Sequence, residues 1–279
     1  MQPGSEHQGG GLSLTQIAQN PQAGRWRTEA MRSHATPRLL FIGKGQGRIT
    51  IAGLTSGYGP NNLIFIPAHT IYGFELGPSV FGQMLAIPAA MAPEWPDATT
   101  HLRLRDVAAQ KEFASLLDGL ERELKIGAGE TSRAAHYHLG LISVFVERQI
   151  GLQDHDAMAA RAETSAARIA AAFSDLVERD YRTDRGVADY AAALGVTPTH
   201  LTRCCKESCG RSALKLLNDR RHYEACVLLR ETRTPIQSIA ADLGFRSAAY
   251  FSRAFQSRAG RTPSQFRRFG ATTRQQSLR

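Results

Sequence analysis

A pattern of two short helices around a glycine turn occurs twice in the carboxyl-terminal part of the chain, and it constrains the fold more than any other feature. In the second copy, Ile236, Ile239 and Leu243 recur with helical spacing. Gly244 follows them, where a left-handed helix end favours a residue without Cβ. Another helix begins after Ser247, whose hydroxyl is a preferred helix cap. This arrangement predicts a helix-turn-helix unit.

The first copy lies about 50 residues earlier and repeats the caps, the apolar positions and one outward arginine. Up to the turn the offset is 49 residues, so that Gly195 corresponds to Gly244. After the turn the offset is 50, so that Arg203 corresponds to Arg253. Thr197-Pro198 again suits a cap followed by proline at the first helical position. Such repetition is hard to obtain from two unrelated helical hairpins, so the sequence predicts a pair of helix-turn-helix units.

The second unit and the residues after it contain the run Ile239-Ala240-x3-Gly244-Phe245-x4-Tyr250-Phe251-Ser252-Arg253-x-Phe255, then Gly260-x-Thr262-Pro263-x2-Phe266-Arg267. With this run, the span from about 169 to 268 resembles the DNA-binding domain of the AraC/XylS family of transcription regulators. It implies two helix-turn-helix units joined by a long helix, each placing one helix in the major groove of double-stranded DNA. It also implies a sequence-specific regulator, expected to be an activator, with RNA polymerase as a further expected partner.

The distribution of charge agrees with a DNA-binding carboxyl-terminal domain. The formal net charge is +9. Residues 165–279 hold 20 Lys and Arg against 10 Asp and Glu, whereas residues 1–164 hold 14 against 15. A basic domain attracts polyanions through counterion release, so DNA affinity is expected to fall steeply with salt.

The residues expected to contact DNA are those opposite the apolar side of each second helix. Arg203 and Arg253 occupy matching places, and each either reads guanine or clamps a phosphate. Arg211 and Arg258 are further phosphate candidates. The complete predicted set is Thr199, Thr202, Arg203, Lys206, Arg246, Ala248, Ala249, Ser252, Arg253 and Gln256. His200 and Tyr250 are expected to be partly buried.

The amino-terminal half predicts β structure followed by helices. Short apolar runs separated by Gly and Pro, with a hairpin at Gly43–Gly47, indicate a small barrel or a jelly roll. The segment resembles the cupin-like barrel that this family carries at this place. The expected fold class is therefore α+β, with a cupin-like barrel and helical hairpin before an all-α domain with two helix-turn-helix units. The expected domains are 1–24 (mobile tail), 25–150 (effector binding and dimerisation), 151–164 (linker), 165–270 (DNA binding) and 271–279 (mobile tail).

The barrel is expected to hold a small organic effector, with an aromatic acid as the favoured class. Most positions of a cupin metal site are missing, because His34 stands alone and Tyr72 occupies a ligand-histidine position. No metal, cofactor or catalytic residue is therefore expected. The candidate effector-binding residues, each of which core packing alone also accommodates, are His34, Phe41, Tyr58, Phe65, His69, Tyr72 and Phe74.

Two helical patterns, at 107–125 and 132–150, follow the barrel. In the second, Tyr137, Leu141, Val144 and Phe145 are apolar and are expected either to form a homodimer interface or to be buried within one monomer. All four cysteines lie in the helical half and are expected to pack as small apolar side chains in a reducing cytoplasm. No apolar run is long enough for a membrane span.

Two alternatives stay open at this point. One is a DNA-binding regulator whose barrel binds no ligand and only dimerises. The other is a cupin-type metalloenzyme with a DNA-binding tail. No nucleophile triad, carboxylate pair or nucleotide loop supports another class of enzyme, and the chain is expected not to be an enzyme.

Overall fold

The computed structural model describes residues 11–18, 30–77, 79–126, 132–152 and 164–276. Eight strands, a 3-10 helix (Ala89–Glu94) and two helices form the described amino-terminal half, and the rest is helical. The strands are β1 (Ser13–Ala18), β2 (Arg38–Lys44), β3 (Gly47–Ile51), β4 (Leu54–Tyr58), β5 (Asn62–Ile66), β6 (Tyr72–Leu76), β7 (Phe81–Ala86) and β8 (Thr100–Arg103). The predicted α+β class is confirmed.

The described strands form two antiparallel sheets rather than one closed barrel. Their orders are β1-β7-β2-β5-β8 and β4-β3-β6. The hairpin predicted at Gly43–Gly47 is wrong, because β2 and β3 lie in different sheets and this segment crosses between them. The observed hairpin joins β3 to β4, with Ala52 and Gly53 at its turn.

Alternation along the strands separates an interior face from a helix-covered face. On β2, Leu40 and Ile42 point between the sheets, whereas Leu39 and Phe41 point outward. Two helices, α1 (Val107–Ile126) and α2 (Arg133–Leu152), pack on that outer face. The buried side of α2 includes Leu139, Ile142 and Phe145. The predicted apolar stripe of α2 is therefore split: Phe145 is buried, while Tyr137, Leu141 and Val144 are exposed.

The first described strand corrects the prediction of a mobile tail over residues 1–24. β1 pairs with β7 over six residues, from Ser13 opposite Ala86 to Ala18 opposite Phe81. Ile17 is buried between the sheets and Leu14 packs toward the helices. The strand SLTQIA has only two large apolar residues, so its sequence pattern is weak, and the pairing depends on β7. The other residues of this range, 1–10 and 19–24, lie outside the described part.

Seven helices form the described carboxyl-terminal part. They are α3 (Ser165–Asp180), α4 (Val187–Ala193), α5 (Pro198–Cys209), α6 (Ala213–Glu231), α7 (Ile236–Asp242), α8 (Ala248–Ala259) and α9 (Pro263–Gln276). Hydroxyl side chains begin several of them as predicted: Thr197 accepts from the His200 amide at 3.2 Å, and Ser247 accepts from the Tyr250 amide at 3.2 Å. Both turn glycines, Gly195 and Gly244, have φ near +70° (67° and 72°).

The sheets and the helical domain meet along a direct interface. The β3–β4 turn packs on α3 and α5: Thr55 Oγ1 donates to the Cys209 carbonyl at 3.5 Å, and Gly53 lies against the Ala170 carbonyl. Met31 and Ile71 are buried in the same apolar cluster as the core of the helical domain. The two halves are therefore in direct contact. Most of the linker predicted at 151–164 (residues 153–163) lies outside the described residues.

Candidate nucleic-acid interface and effector site

Helix α5 presents a polar face opposite its buried side. Leu201, Cys204 and Cys205 are buried in the core of the domain. Thr199, Arg203 and Lys206 are exposed, and Thr202 is half-buried. Arg203 Nη2 lies 3.0 Å from His200 Nδ1, and the half-buried state of His200 agrees with its predicted position. The 3.6-residue period thus separates the core side from the predicted DNA side.

Helix α8 repeats this arrangement. Phe251 and Phe255 are buried, whereas the predicted contacts Ala249, Arg253 and Gln256 are exposed, and Arg246 is exposed just before the helix. Ala248 and Ser252 are half-buried, and Ala248 packs against the core. Ala248 is therefore less available to DNA than its sequence position indicates.

Tyr250 corrects the prediction that it is partly buried. It is 57% exposed, although its ring lies 6.0 Å from that of Phe245. Its position at the amino end of α8, beside Ala249, adds an aromatic side chain and a hydroxyl to the polar face. The prediction was made because Tyr250 corresponds to His200 in the repeat. His200 is half-buried in α5, but Tyr250 is exposed in α8.

Of the additional phosphate candidates, Arg211 is held inside the protein. Its Nη1 donates to Asp219 at 3.2 Å and its Nη2 donates to Glu75 at 3.2 Å, and its side chain is only 12% exposed. Asp219 also accepts from Arg258. Because Glu75 belongs to β6, Arg211 links the two domains, and its guanidinium is paired with these carboxylates instead of being available to a DNA phosphate.

The predicted effector residues lie in three different places. His34, Tyr58, Tyr72 and Phe74 lie together on the interior side of the sheets, with Tyr72 and Phe74 rings 5.6 Å apart. Phe41 and Phe65 lie on the other face, where Phe41 contacts Phe113 of α1 and Phe65 stacks on Trp95. His69 is an exposed turn residue with φ 57°. Phe41, Phe65 and His69 are therefore removed from the interior group.

His34 and Tyr72 form the polar centre of the interior group. His34 Nε2 lies 2.8 Å from Tyr72 Oη, and that hydroxyl also donates to Met84 Sδ at 3.5 Å. Burial, followed by the charges of Arg38, Arg32 and Arg220, lowers the pKa of His34 to about 2. Burial raises the pKa of Tyr72 to about 12. Both groups are neutral at physiological pH, so this hydrogen bond is made between uncharged side chains.

Two buried arginines beside this pair were not identified from the sequence. Arg32 and Arg38 are each 6% exposed. The Arg32 guanidinium lies over the rings of Tyr72 and Phe74, and over that of Tyr223 on α6, at 5.5–5.9 Å. Arg38 is the first residue of β2 and lies on the interior face of the sheet. Its alternation with Leu40 and Ile42 could have predicted that it shares their face.

The cysteines are buried free thiols, in agreement with the packing role predicted for them. Burial raises the pKa of Cys205 to about 12 and also raises the pKa of Cys209 and Cys226. Among the described residues, there is no cluster of three or more His, Cys, Asp or Glu side chains that could hold a metal ion. Nor does any described helix have the length and apolar character needed to cross a membrane.

Comparisons with known proteins agree with this arrangement. Residues 18–140 match the family model described as an AraC-like ligand binding domain, and residues 190–268 match one described as a helix-turn-helix domain. Together these models cover well over half of the chain. The protein belongs to the AraC/XylS family. This AraC-family chain is a DNA-binding transcription regulator with a ligand-binding domain.

Relatives extend the match across both domains of this AraC-family protein. The arabinose operon regulatory proteins of Salmonella typhimurium and Escherichia coli K12 are each 25% identical over 236 residues. These alignments cover 80% of this chain and 80% and 77% of the relatives. Among solved structures, ToxT from Vibrio cholerae O395 is 13% identical with a TM-score of 0.44, over 92% of this chain and 96% of that one.

Proposed function

We propose that this regulator binds DNA as a homodimer and activates transcription in response to a small organic effector held between its sheets. Each subunit inserts α5 and α8 into successive major-groove segments, about one helical turn apart on one face of the DNA. RNA polymerase is the proposed partner at the promoter, and the protein acts in the cytoplasm with its DNA.

The single observation that carries the DNA-binding mode is the equivalence of Arg203 and Arg253. Both are exposed, and each lies on the polar face of its helix, six residues after the capping hydroxyls of Thr197 and Ser247. A planar guanidinium in this position can donate two hydrogen bonds to O6 and N7 of guanine. Lys206, Arg246 and Gln256 extend the two faces as contacts to the DNA backbone or bases.

The exposed apolar face of α2 supports the proposed dimer. Tyr137, Leu141 and Val144 are 65%, 53% and 48% exposed, and their spacing places them along one side of the helix. Large apolar side chains in one exposed strip are typical of a protein interface. Since the opposite side of α2 already covers the five-stranded sheet, this strip is free to pack on a second subunit.

The aromatic and polar interior between the sheets supports the proposed effector. Tyr58, Tyr72 and Phe74 supply aromatic surface, and the His34–Tyr72 pair supplies hydrogen-bonding groups at one end. An aromatic acid combines both properties. A ligand-independent regulator is the second candidate, and it would show no change in melting temperature with any metabolite, because only a ligand that binds the folded state raises it.

Genome-wide binding of the tagged protein in its own cells tests this function. Discrete sites with two motif halves about one turn apart are expected, with neighbouring transcription rising when the protein is present. Arg203→Ala and Arg253→Ala should each weaken binding to such a site by about 1–3 kcal/mol in vitro. Arg105→Ala, which removes an exposed arginine before α1, is the matched control and should bind normally. Diffuse binding that neither recognition-helix variant alters would contradict the proposal.

A further inference from the structure

The guanidinium of Arg38 is buried with one edge used and the other edge open. Nη1 donates to the Thr36 carbonyl at 3.2 Å, to Thr36 Oγ1 at 2.5 Å and to the Pro37 carbonyl at 3.0 Å. Within residues 11–18, 30–77, 79–126, 132–152 and 164–276, its Nε and Nη2 atoms form no hydrogen bond with a protein group, and no carboxylate pairs with it. Nε and Nη2 form the side of a guanidinium that binds a carboxylate with two parallel hydrogen bonds.

Arg38 differs in this respect from Arg220, a buried arginine where the two domains meet. Arg220 is neutralised by Glu178 at 2.7 Å and by Glu224 at 3.0 Å. Arg38 interacts electrostatically instead with the side chains of Tyr72 and Tyr223, neither of which is a carboxylate, and burial lowers the pKa of Arg38. An isolated charge away from water is costly unless an opposite charge accompanies it. In the part of the chain that the structure describes, no carboxylate supplies that charge to Arg38.

The strand neighbours of Arg38 on its own face of the sheet are apolar. In the sheet, Arg38 lies opposite Ile66 on β5 and Ala86 on β7, and Met84 is on the same face of β7. Tyr72 reaches Met84 from the other sheet, and His34 completes the polar end through its hydrogen bond to Tyr72. One uncompensated guanidinium in apolar surroundings suits a ligand with one negative charge and an apolar body.

We infer that Arg38 anchors a small organic monocarboxylate, whose two oxygens accept hydrogen bonds from Nε and Nη2. This inference rests on the proposed effector response and specifies its chemistry. The carboxylate neutralises the buried guanidinium, while the Tyr72 hydroxyl and the ring of His34 border the bound head group. Tyr58, Tyr72 and Phe74, the aromatic residues of the interior group, then contact the organic body.

The same segment gives the site a route to the DNA-binding domain. Ser33, next to His34, donates a hydrogen bond to Glu178 of α3 and lies 3.4 Å from Arg220 Nη2 on α6. Arg32 contacts the ring of Tyr223 on α6 and that of Tyr72 in the site. A ligand that repositions Tyr72 or Arg38 therefore acts on residues that already touch α3 and α6, the helices that support both helix-turn-helix units.

The test uses the full-length protein with acetate and benzoate as carboxylates, acetamide and benzamide as neutral matches, and inorganic phosphate. The Nε–Hε NMR signal of Arg38, assigned by its loss in Arg38→Lys, should shift saturably with both carboxylates and stay unchanged with both amides. Benzoate should also raise the melting temperature of the wild-type protein. Lysine keeps the charge and can donate to Thr36 and Pro37 but lacks the planar fork, so its apparent benzoate affinity should fall at least tenfold.

Arg48→Lys is the matched control, because Arg48 is an exposed arginine on β3 of the same domain, and it should bind benzoate normally. An Arg38 signal that acetate does not move, amides that bind as well as acids, or equal binding by Arg38→Lys would each overturn the inference. Stronger binding of phosphate than of either carboxylate would overturn the monocarboxylate. DNA binding measured in the same samples separates the outcomes: specific DNA binding without carboxylate binding overturns this inference alone, whereas absence of specific DNA binding overturns the proposed function.

Discussion

Arg220 Nε donates a 2.7 Å hydrogen bond to Glu178 Oε2, which ties the long helix α6 to the first helix of the DNA-binding domain. Arg220 is almost completely buried, and its guanidinium also lies 3.9 Å from the centre of the Tyr181 ring. Glu224 provides a second carboxylate at 3.0 Å. A buried arginine with this many partners organises its surroundings, and removal of one partner leaves a buried charge incompletely neutralised.

We expect Glu178→Ala to lower the free energy of unfolding by about 3–5 kcal/mol, the usual cost of breaking a buried ion pair from one side. Urea denaturation followed by circular dichroism measures this change. Glu231→Ala removes an exposed carboxylate at the end of α6 and should change stability by less than about 0.5 kcal/mol. Equal stability of the two variants would show that the Arg220 pair contributes little.

The two turn glycines make a matched pair for a second experiment. A Cβ atom on Gly244 would lie 1.8 Å from the Thr183 carbonyl oxygen, whereas one on Gly195 would meet no atom within 4 Å. Gly195→Ala should therefore cost only the left-handed strain, about 1–2 kcal/mol. Gly244→Ala should cost roughly 1–3 kcal/mol more, because the backbone of the α3–α4 loop must move. Thermal unfolding of both variants tests this order, and equal losses would contradict it.

The buried histidines predict a loss of stability in mild acid. The pKa of His34 is lowered from 6.5 to about 2, and burial and Arg258 lower that of His222 to about 4. Below pH 6.5 these histidines are protonated in the unfolded chain but stay neutral in the folded protein. The free energy of unfolding therefore falls as the pH falls. Each such histidine contributes a slope of about 1.4 kcal/mol per pH unit until its folded pKa is reached.

Urea denaturation of His34→Gln between about pH 7 and about pH 4.5 measures this contribution. The slope of the free energy of unfolding against pH should be smaller in the variant than in the wild type by about 1.4 kcal/mol per pH unit. His69→Gln, which changes an exposed turn histidine, should keep the wild-type slope. A wild-type slope in His34→Gln would mean that His34 is protonated in the folded protein.

The proposed dimer predicts that a charge on the exposed face of α2 separates the subunits. Leu141→Glu places a carboxylate in the middle of that face and should give a monomer in sedimentation experiments, with normal helix content. Val107→Glu is the control, because Val107 is similarly exposed, at 60% against 53%, but lies at the start of α1. A dimer that persists in Leu141→Glu would require another interface.

The sequence predicted the helical domain more completely than the sheets, for a physical reason. Helix caps, turn glycines and the polar faces of α5 and α8 depend on residues a few positions apart, so Thr197, Ser247 and Gly244 could be assigned directly. Alternation places Phe41 and Phe65 on one face of the five-stranded sheet, but it does not say which face the helices cover. That choice depends on Phe113 and Trp95, which come much later in the chain.

The polar part of the candidate site was also beyond local patterns. His34 and Tyr72 were selected from their positions in a family motif, and the structure brings them within 2.8 Å of each other. Arg38 appears in the sequence as the first residue of an apolar strand, where an exposed charge is the usual interpretation. Alternation with Leu40 and Ile42 predicts which face of β2 carries Arg38, but not that this face is buried there. Its burial depends on the second sheet and on α6, whose Tyr223 interacts with Arg38 from 185 positions away in the chain.

The β3–β4 turn has a consequence for protein engineering. Gly53 lies against α3, and Thr55 donates to the last residue of α5, so the sheet domain supports the end of the first recognition helix. A chimaera that fuses residues 164–276 to another effector module loses these contacts unless that module supplies the same turn. A sensor built from this chain should therefore carry residues 52–55 with its DNA-reading half, as one transferable unit.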